Sequence, residues 1–196
     1  MRTYYLKFAK QLFPPHSRSF SSSPSSTMSM KQYAYKGFGE NNRKSHWYSS
    51  AVRTGDFIHC AGQGGYLDEH GAQRRTVPEQ IDQAFVNVDI ALKDAGGAGW
   101  SQVYRINSFH VSLDEEAQEA MVRNFRKWMP DNHPTWTCVQ ISRLGGERMW
   151  VEIEVSAYDP EGAKREGTSK AEIERGKPEL PSAVVMLSEI GQTIMA

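Results

Sequence analysis

Two segments, Pro134-Thr135-Trp136-Thr137-Cys138 and Trp150-Val151-Glu152-Ile153-Glu154-Val155, alternate in character from one residue to the next. A period of two belongs to a β-strand, whose successive side chains leave opposite faces of a sheet. Trp136, Cys138 and Gln140 fall on one face of the first strand. Trp150, Glu152 and Glu154 share a face of the second, and Val151, Ile153 and Val155 take the other. The aliphatic face is ordinary core. The remaining face, read as holding Trp136, Cys138, Glu152 and Glu154 together, is too polar for a monomer core and too aromatic for free solvation. It points to a sheet surface that meets a partner subunit, with a small-molecule site in the seam.

The elements upstream set what that sheet packs against. Ser49 to Thr54 and Phe57 to Ala61 read as strands joined at Gly55-Asp56, a hairpin signal, and Gly62-Gln63-Gly64-Gly65 ends the second. Thr76-Val77-Pro78-Glu79 has the form of a helix start, with a threonine cap, an early proline and a glutamate three places on. Ile81, Ala84, Phe85, Val88, Leu92 and Ala95 follow on one face, and Gly96-Gly97 stops the helix. Val103 to Val111 reads as a strand. Asp114 then opens a second amphipathic helix through Ala117, Ala120, Met121, Asn124, Phe125 and Trp128, ended by Pro130. The predicted order is ββ-α-β-α-ββ. Two helices cover one sheet face only, which again predicts an oligomer through the other.

Residues 1–30 carry Arg2, Lys7, Lys10 and Arg18 and no acid, with an apolar helical face around Tyr5, Leu6, Phe8, Leu12 and Phe13. That composition fits a mitochondrial targeting segment leading to the matrix. The alternative is a disordered tail, with Met28 or Met30 as an internal start and a cytoplasmic product. Formal net charge over the 196 residues is zero. Without the four basic residues of the leader the remainder carries four net negative charges. An acidic body with no basic stripe gives no reason to bind nucleic acid. No apolar run approaches the roughly 18 residues of a spanning helix, so no membrane partner is expected. Cys60 and Cys138 lack CxxC spacing and fit a reducing compartment. The expected organisation is a leader over 1–30, one domain over 31–159, and a polar linker with a C-terminal extension over 160–196. Val184, Val185, Leu187, Ile190 and Ile194 in that extension suit either a docked helix or a frayed end.

These residues resemble a known family. Tyr48, Val52-Arg53-Thr54-Gly55-Asp56-Phe57-Ile58 and Ala61-Gly62-Gln63 resemble the opening hairpin of the Rid family, also called YjgF. Glu79-Gln80, Asn87-Val88 and Leu92 resemble its first helix. Pro134 to Val139 and Val151-Glu152-Ile153-Glu154 resemble its closing motif. The resemblance implies an α+β, chorismate-mutase-like fold with two helices on one face of a mixed sheet. It also implies a homotrimer with sites at the subunit seams, and hydrolysis of an enamine or imine to a ketone and ammonia without metal or organic cofactor. Carried over by position, Glu152 is the catalytic, water-placing glutamate, and Tyr48, Gly62, Trp136 and Cys138 bind substrate. Trp136 stands where the family has a carboxylate-gripping arginine. Ala61 and Val122 stand where it often has a serine and an asparagine.

An indole has one neutral donor and a large apolar plane. It cannot make the two charge-assisted bonds with which a guanidinium meets a carboxylate. Trp136 therefore predicts an aromatic, apolar or cationic substrate rather than a simple imino acid, unless Arg53 or Arg143 takes over the grip. Cys138 has no histidine next to it in sequence and no helix N-terminus to activate it, so it reads as a packed small residue rather than a nucleophile. His59 and His110 lack partners at metal-ligand spacing. Gly62-Gln63-Gly64-Gly65 lacks the spacing of a nucleotide loop. Three functions remain: an enamine or imine hydrolase, a non-catalytic small-molecule-binding or chaperone-like trimer, and, disfavoured by the acidic body, a ribonuclease.

Overall fold

The computed structural model describes residues 30–68 and 72–175, with side chains described as far as residue 167. The expected leader and the apolar tail beyond Pro181 lie outside the described residues. Six strands form one sheet: β1 (Met30–Tyr33), β2 (Ala51–Thr54), β3 (Phe57–Gly64), β4 (Val103–His110), β5 (Thr135–Gln140) and β6 (Val151–Tyr158). Their spatial order is β1-β2-β3-β6-β4-β5. All neighbours are antiparallel except β4 and β5. A parallel pair needs a crossover, and a helix over Glu115–Trp128 occupies that connection.

Among the described residues four α-helices accompany the sheet, named in chain order α1 (Phe38–His46), α2 (Val77–Asp94), α3 (Glu115–Trp128) and α4 (Pro160–Arg175). The start of α2 is the expected capping box. Glu79 N–H donates to the Thr76 hydroxyl at 3.3 Å, and the Glu79 carboxylate accepts from the Thr76 N–H at 3.1 Å. Asp114 caps α3 by accepting from the Ala117 N–H at 2.9 Å. Ile81, Phe85, Val88 and Leu92 of α2 are fully buried against Ile106, Ile153 and Ala157 of the sheet. Each such side chain contributes about 1.5–3 kcal/mol by leaving water. Gln80 and Asn87 interrupt that stripe for a reason. Gln80 donates to the Arg74 and Arg148 carbonyls and accepts from the Trp150 N–H. Asn87 donates to the Gly64 and Leu67 carbonyls. Both amides hold loops around the end of β3.

Three elements were not expected from the sequence. β1 lies at the start of the expected domain, in a stretch not read as a strand, and pairs with β2. α1 contains one apolar side chain, Phe38, in nine residues, so it has no amphipathic pattern to read. The expected polar linker from residue 160 is instead α4. Asp159 caps it, accepting from the Gly162 N–H at 2.9 Å, and Pro160 takes the first helical position. That pairing of cap and proline is a helix signal, which the polar composition of the segment obscured. Asp159 also accepts from Arg53 at 2.6 Å and from Gln102 at 2.7 Å. Arg53 and Asp159 are both buried, so β2, α4 and the end of α2 meet at one ion pair.

The sheet register overturns one expectation. Trp136 pairs with Ile106, and Cys138 with Ser108, across the parallel ladder. Paired residues point to the same side of a sheet, and Ile106 and Ser108 are fully buried beneath the helices. Trp136 and Cys138 therefore face the helical layer. Glu152 and Glu154 face the helix-free side, with Phe109 and Asn107 as their β4 partners. Thr137 and Val139, not Trp136 and Cys138, share their face. The alternation within each strand is as expected. The mistaken step joined a face of β5 to the wrong face of β6.

Candidate active site

A cavity of about 370 Å³ opens between α1, the end of β3 and β6. It brings together three of the five residues singled out in the sequence: Tyr48, Gly62 and Glu152. Sequence reasoning missed Phe38, Asn42 and His46, which α1 adds to the wall, and Tyr35 and Gln63 beside them. Only a recognised α1 would have pointed to the first three.

Glu152 reaches the cavity because of a local irregularity in the sheet. The pairing of β3 with β6 shifts between Cys60/Val155 and Gln63/Ile153. Ala61 and Gly62 thus oppose Glu154 alone, a β-bulge of the kind that re-aims side chains beside functional sites. The Glu152 carboxylate lies directly over Gly62: a Cβ on that glycine would stand 2.6 Å from the glutamate Cγ and Cδ. Gly62 is thus required for close approach, not for an unusual backbone angle. β3 accordingly continues through the glycine-rich stretch to Gly64 rather than ending at it.

The two carboxylates of β6 have different surroundings. Glu154 accepts from the Asn107 amide at 2.7 Å. Glu152 has no hydrogen bond or ion pair among the described residues. Burial pushes its carboxyl above the usual range, and the Glu154 charge adds to the rise. Tyr48 accepts from the Asn42 amide at 2.9 Å, leaving its own proton to donate. Burial raises the Tyr48 pKa, and the Glu152 charge adds to this against the lowering effect of Asn42. A half-buried carboxylate beside a phenol can accept a proton from water and hold a polar ligand in place.

Trp136 and Cys138 are elsewhere in the chain. The Trp136 indole donates to the Ser108 hydroxyl at 2.9 Å and meets Phe125 edge-on at 4.9 Å. It ends an aromatic series that runs through Phe125 and Phe85 to Trp100 and Trp128. Its outer side borders a separate groove with Arg126, His133 and Pro134. Neither arginine considered as a substitute grip lines the Glu152 cavity. Arg53 is committed to Asp159. Cys60 is inert, its thiol pushed by burial to about 12.

A family profile described as Endoribonuclease L-PSP matches residues 40–159. The chain belongs to the YjgF/RidA family. It is 29% identical to the RutC family protein YjgH of Escherichia coli over 116 residues, 59% of this chain and 86% of that protein. It is 28% identical to the mitochondrial protein mmf2 of Schizosaccharomyces pombe, covering 57% of this chain and 87% of that one. The solved structure of YjgH superposes with a TM-score of 0.57 at 27% identity, covering 68% of this chain and 98% of that one. The fold is the family's α+β arrangement, a mixed sheet with α2 and α3 on one face. Among the described residues, no helix is long and apolar enough to cross a membrane.

Proposed function

We propose that this YjgF/RidA-family protein hydrolyses the C=N bond of an imine, or of the imine tautomer of an enamine, with Glu152 placing and deprotonating the attacking water. The observation that carries this reading is the unpartnered Glu152 carboxylate held over Gly62, beside Tyr48, in a cavity of small-molecule size. Water oxygen adds to the imine carbon while the π electrons pass to nitrogen. Glu152 takes a proton from the added water and returns one to nitrogen. The C–N bond of the resulting carbinolamine then breaks, giving a ketone and ammonia. Every step is a proton transfer, an addition or an elimination, with no change of oxidation state, so the reading calls for no metal or organic cofactor.

The protein acts as a homotrimer in this reading, with the sheet's helix-free face turned inward. Phe57, Tyr104 and Tyr158 support it: they lie together at one end of that face and are 42%, 42% and 48% exposed. In the assembled seam Trp136 and Cys138 enter the cavity region from a neighbouring copy, as wall residues. In this reading the leader directs the chain to the mitochondrial matrix; a relative described as mitochondrial is compatible with a mitochondrial location. A second reading, a binding trimer without chemistry, draws on Trp136 standing at the expected arginine position. Ammonia release from a panel of imines by wild type and by Glu152→Gln separates the two. Loss of release in the variant supports the hydrolase. Absence of release from every imine, with retained binding, leaves the binding trimer.

A further inference from the structure

The Glu152 cavity has a charge bias that hydrolysis alone does not require. Among the described lining residues are five aromatic rings, those of Tyr35, Phe38, His46, Tyr48 and Tyr66, and one carboxylate, Glu152; the His46 Nδ1 is engaged by the Ser45 hydroxyl at 2.8 Å. No lysine or arginine is among the described lining residues. Of the guanidinium groups nearby, Arg148 is not a lining residue but donates to the hydroxyl of the wall residue Tyr66 at 3.1 Å, and Arg43 donates to the Ser49 hydroxyl at 3.3 Å. The amides of the wall are also spent. Asn42 donates to Tyr48, Gln63 to the Ala61 carbonyl, and Asn87 to two carbonyls. What remains is the unpartnered Glu152 carboxylate among aromatic faces, with the Tyr48 hydroxyl as a neutral donor beside it.

We infer that the cavity takes a cationic, carboxylate-free imine, the protonated form of an imine derived from a simple or aromatic amine. The inference rests on the hydrolytic reading of this site and names its substrate class. An imino acid would bring a second carboxylate toward Glu152 with no lysine or arginine among the described lining residues to meet it, and an unpaired charge in a partly buried site is costly. An iminium instead supplies the missing positive charge. Aromatic faces attract such a cation, and Glu152 is its counter-ion. The substituent of the amine or ketone packs on the rings contributed by Phe38 and Tyr35. α1, through Phe38, and the residue Tyr35 just before it are therefore the specificity elements.

The chemistry balances for this substrate. Water oxygen bonds to the iminium carbon, and the C=N π pair moves to nitrogen. Glu152 accepts a proton from the added water and passes it to nitrogen. The C–N bond breaks with its electron pair leaving on ammonia, Glu152 passes the hydroxyl proton to that ammonia as the carbonyl forms, and the products are a ketone or aldehyde and an ammonium ion. Protonated substrate is the more electrophilic form, so a site that favours the cation also favours the reactive species.

Titration calorimetry with benzylammonium and with benzoate tests the charge preference apart from turnover. Wild type is expected to bind benzylammonium about tenfold or more tightly than benzoate, on the scale of a partly desolvated cation–π and carboxylate contact. Glu152→Gln should remove most of that preference without lowering the melting temperature. Phe38→Ala, at an exposed position that does not threaten folding, should weaken benzylammonium severalfold. Equal or tighter binding of benzoate, or no binding of benzylammonium, overturns the inference. Benzylammonium binding with no imine turned over would sink the hydrolytic reading and leave the cation preference standing. Glu152-dependent turnover of imino acids in preference to amine-derived imines would do the reverse.

Discussion

Gly62→Ala isolates the geometry on which the proposed site depends. The new Cβ would lie 2.6 Å from both Cγ and Cδ of Glu152, where ordinary contact is 3.4–4 Å. The carboxylate must therefore retreat by about 1 Å or more. It is the end of a flexible side chain and the cavity beside it is open, so the stability cost should be about 1 kcal/mol or less, below the usual 1–3 kcal/mol of an overpacked core. The catalytic cost should be far larger. A displacement of about 1 Å in a positioning group lowers rate by about 100-fold. One readout needs no substrate: NMR titration of the Glu152 carboxyl. Its pKa is raised chiefly by burial, so pushing it toward solvent should bring it down toward the ordinary value of about 4.3. A variant with an unchanged Glu152 titration and wild-type turnover would refute the close-approach argument. A loss of more than about 3 kcal/mol would show that Glu152 cannot retreat as described.

The remaining predictions concern the carboxylates and the edge tryptophan. Glu152→Gln should lower kcat by about 100-fold or more, whereas Glu154→Gln, which loses only its Asn107 contact, should leave kcat near wild type; equal effects in steady-state assays would remove the distinction. The raised Glu152 pKa means that folding disfavours its ionised form, so Glu152→Gln should stabilise the protein at neutral pH, a gain that vanishes below about pH 4, where the wild-type carboxyl is neutral folded or unfolded; thermal melts across pH read this. Asp159 has the opposite sign. Burial works to raise its pKa, but bonds from Arg53, the Gly162 N–H and Gln102 outweigh that and lower it. Its stabilisation is therefore present above the unfolded value of about 3.9 and lost as pH falls through the lower folded value. Asp159→Ala leaves Arg53 buried and unpaired and should cost about 3–5 kcal/mol in denaturant unfolding. Trp136→Phe keeps a ring against Phe125 but loses the Ser108 bond, and should cost about 1 kcal/mol in the same measurement.

Local signals carried much of the fold. Thr76 with Glu79, Asp114, Gly96-Gly97 and the apolar stripes of α2 and α3 specify helices through contacts three or four residues apart. The hairpin at Gly55-Asp56 and the alternation in β5 and β6 are equally local. The family resemblance, read from the same residues, placed those pieces in one architecture. Tyr48, Gly62 and Glu152 were legible as site candidates for that reason. α1 was not, because a helix with one apolar residue leaves no periodic trace, and it is held by its neighbours rather than by its own pattern. Nor does alternation within a strand say which of its faces joins a given face of the next strand. That depends on register through β4, where Ile106 draws Trp136 to the helical side and Phe109 sets Glu152 on the other. The bulge at Ala61-Gly62 has the same origin. It arises from the mismatch of two strands about 90 residues apart in sequence, and only the assembled sheet brings the Glu152 carboxylate over a residue with no side chain.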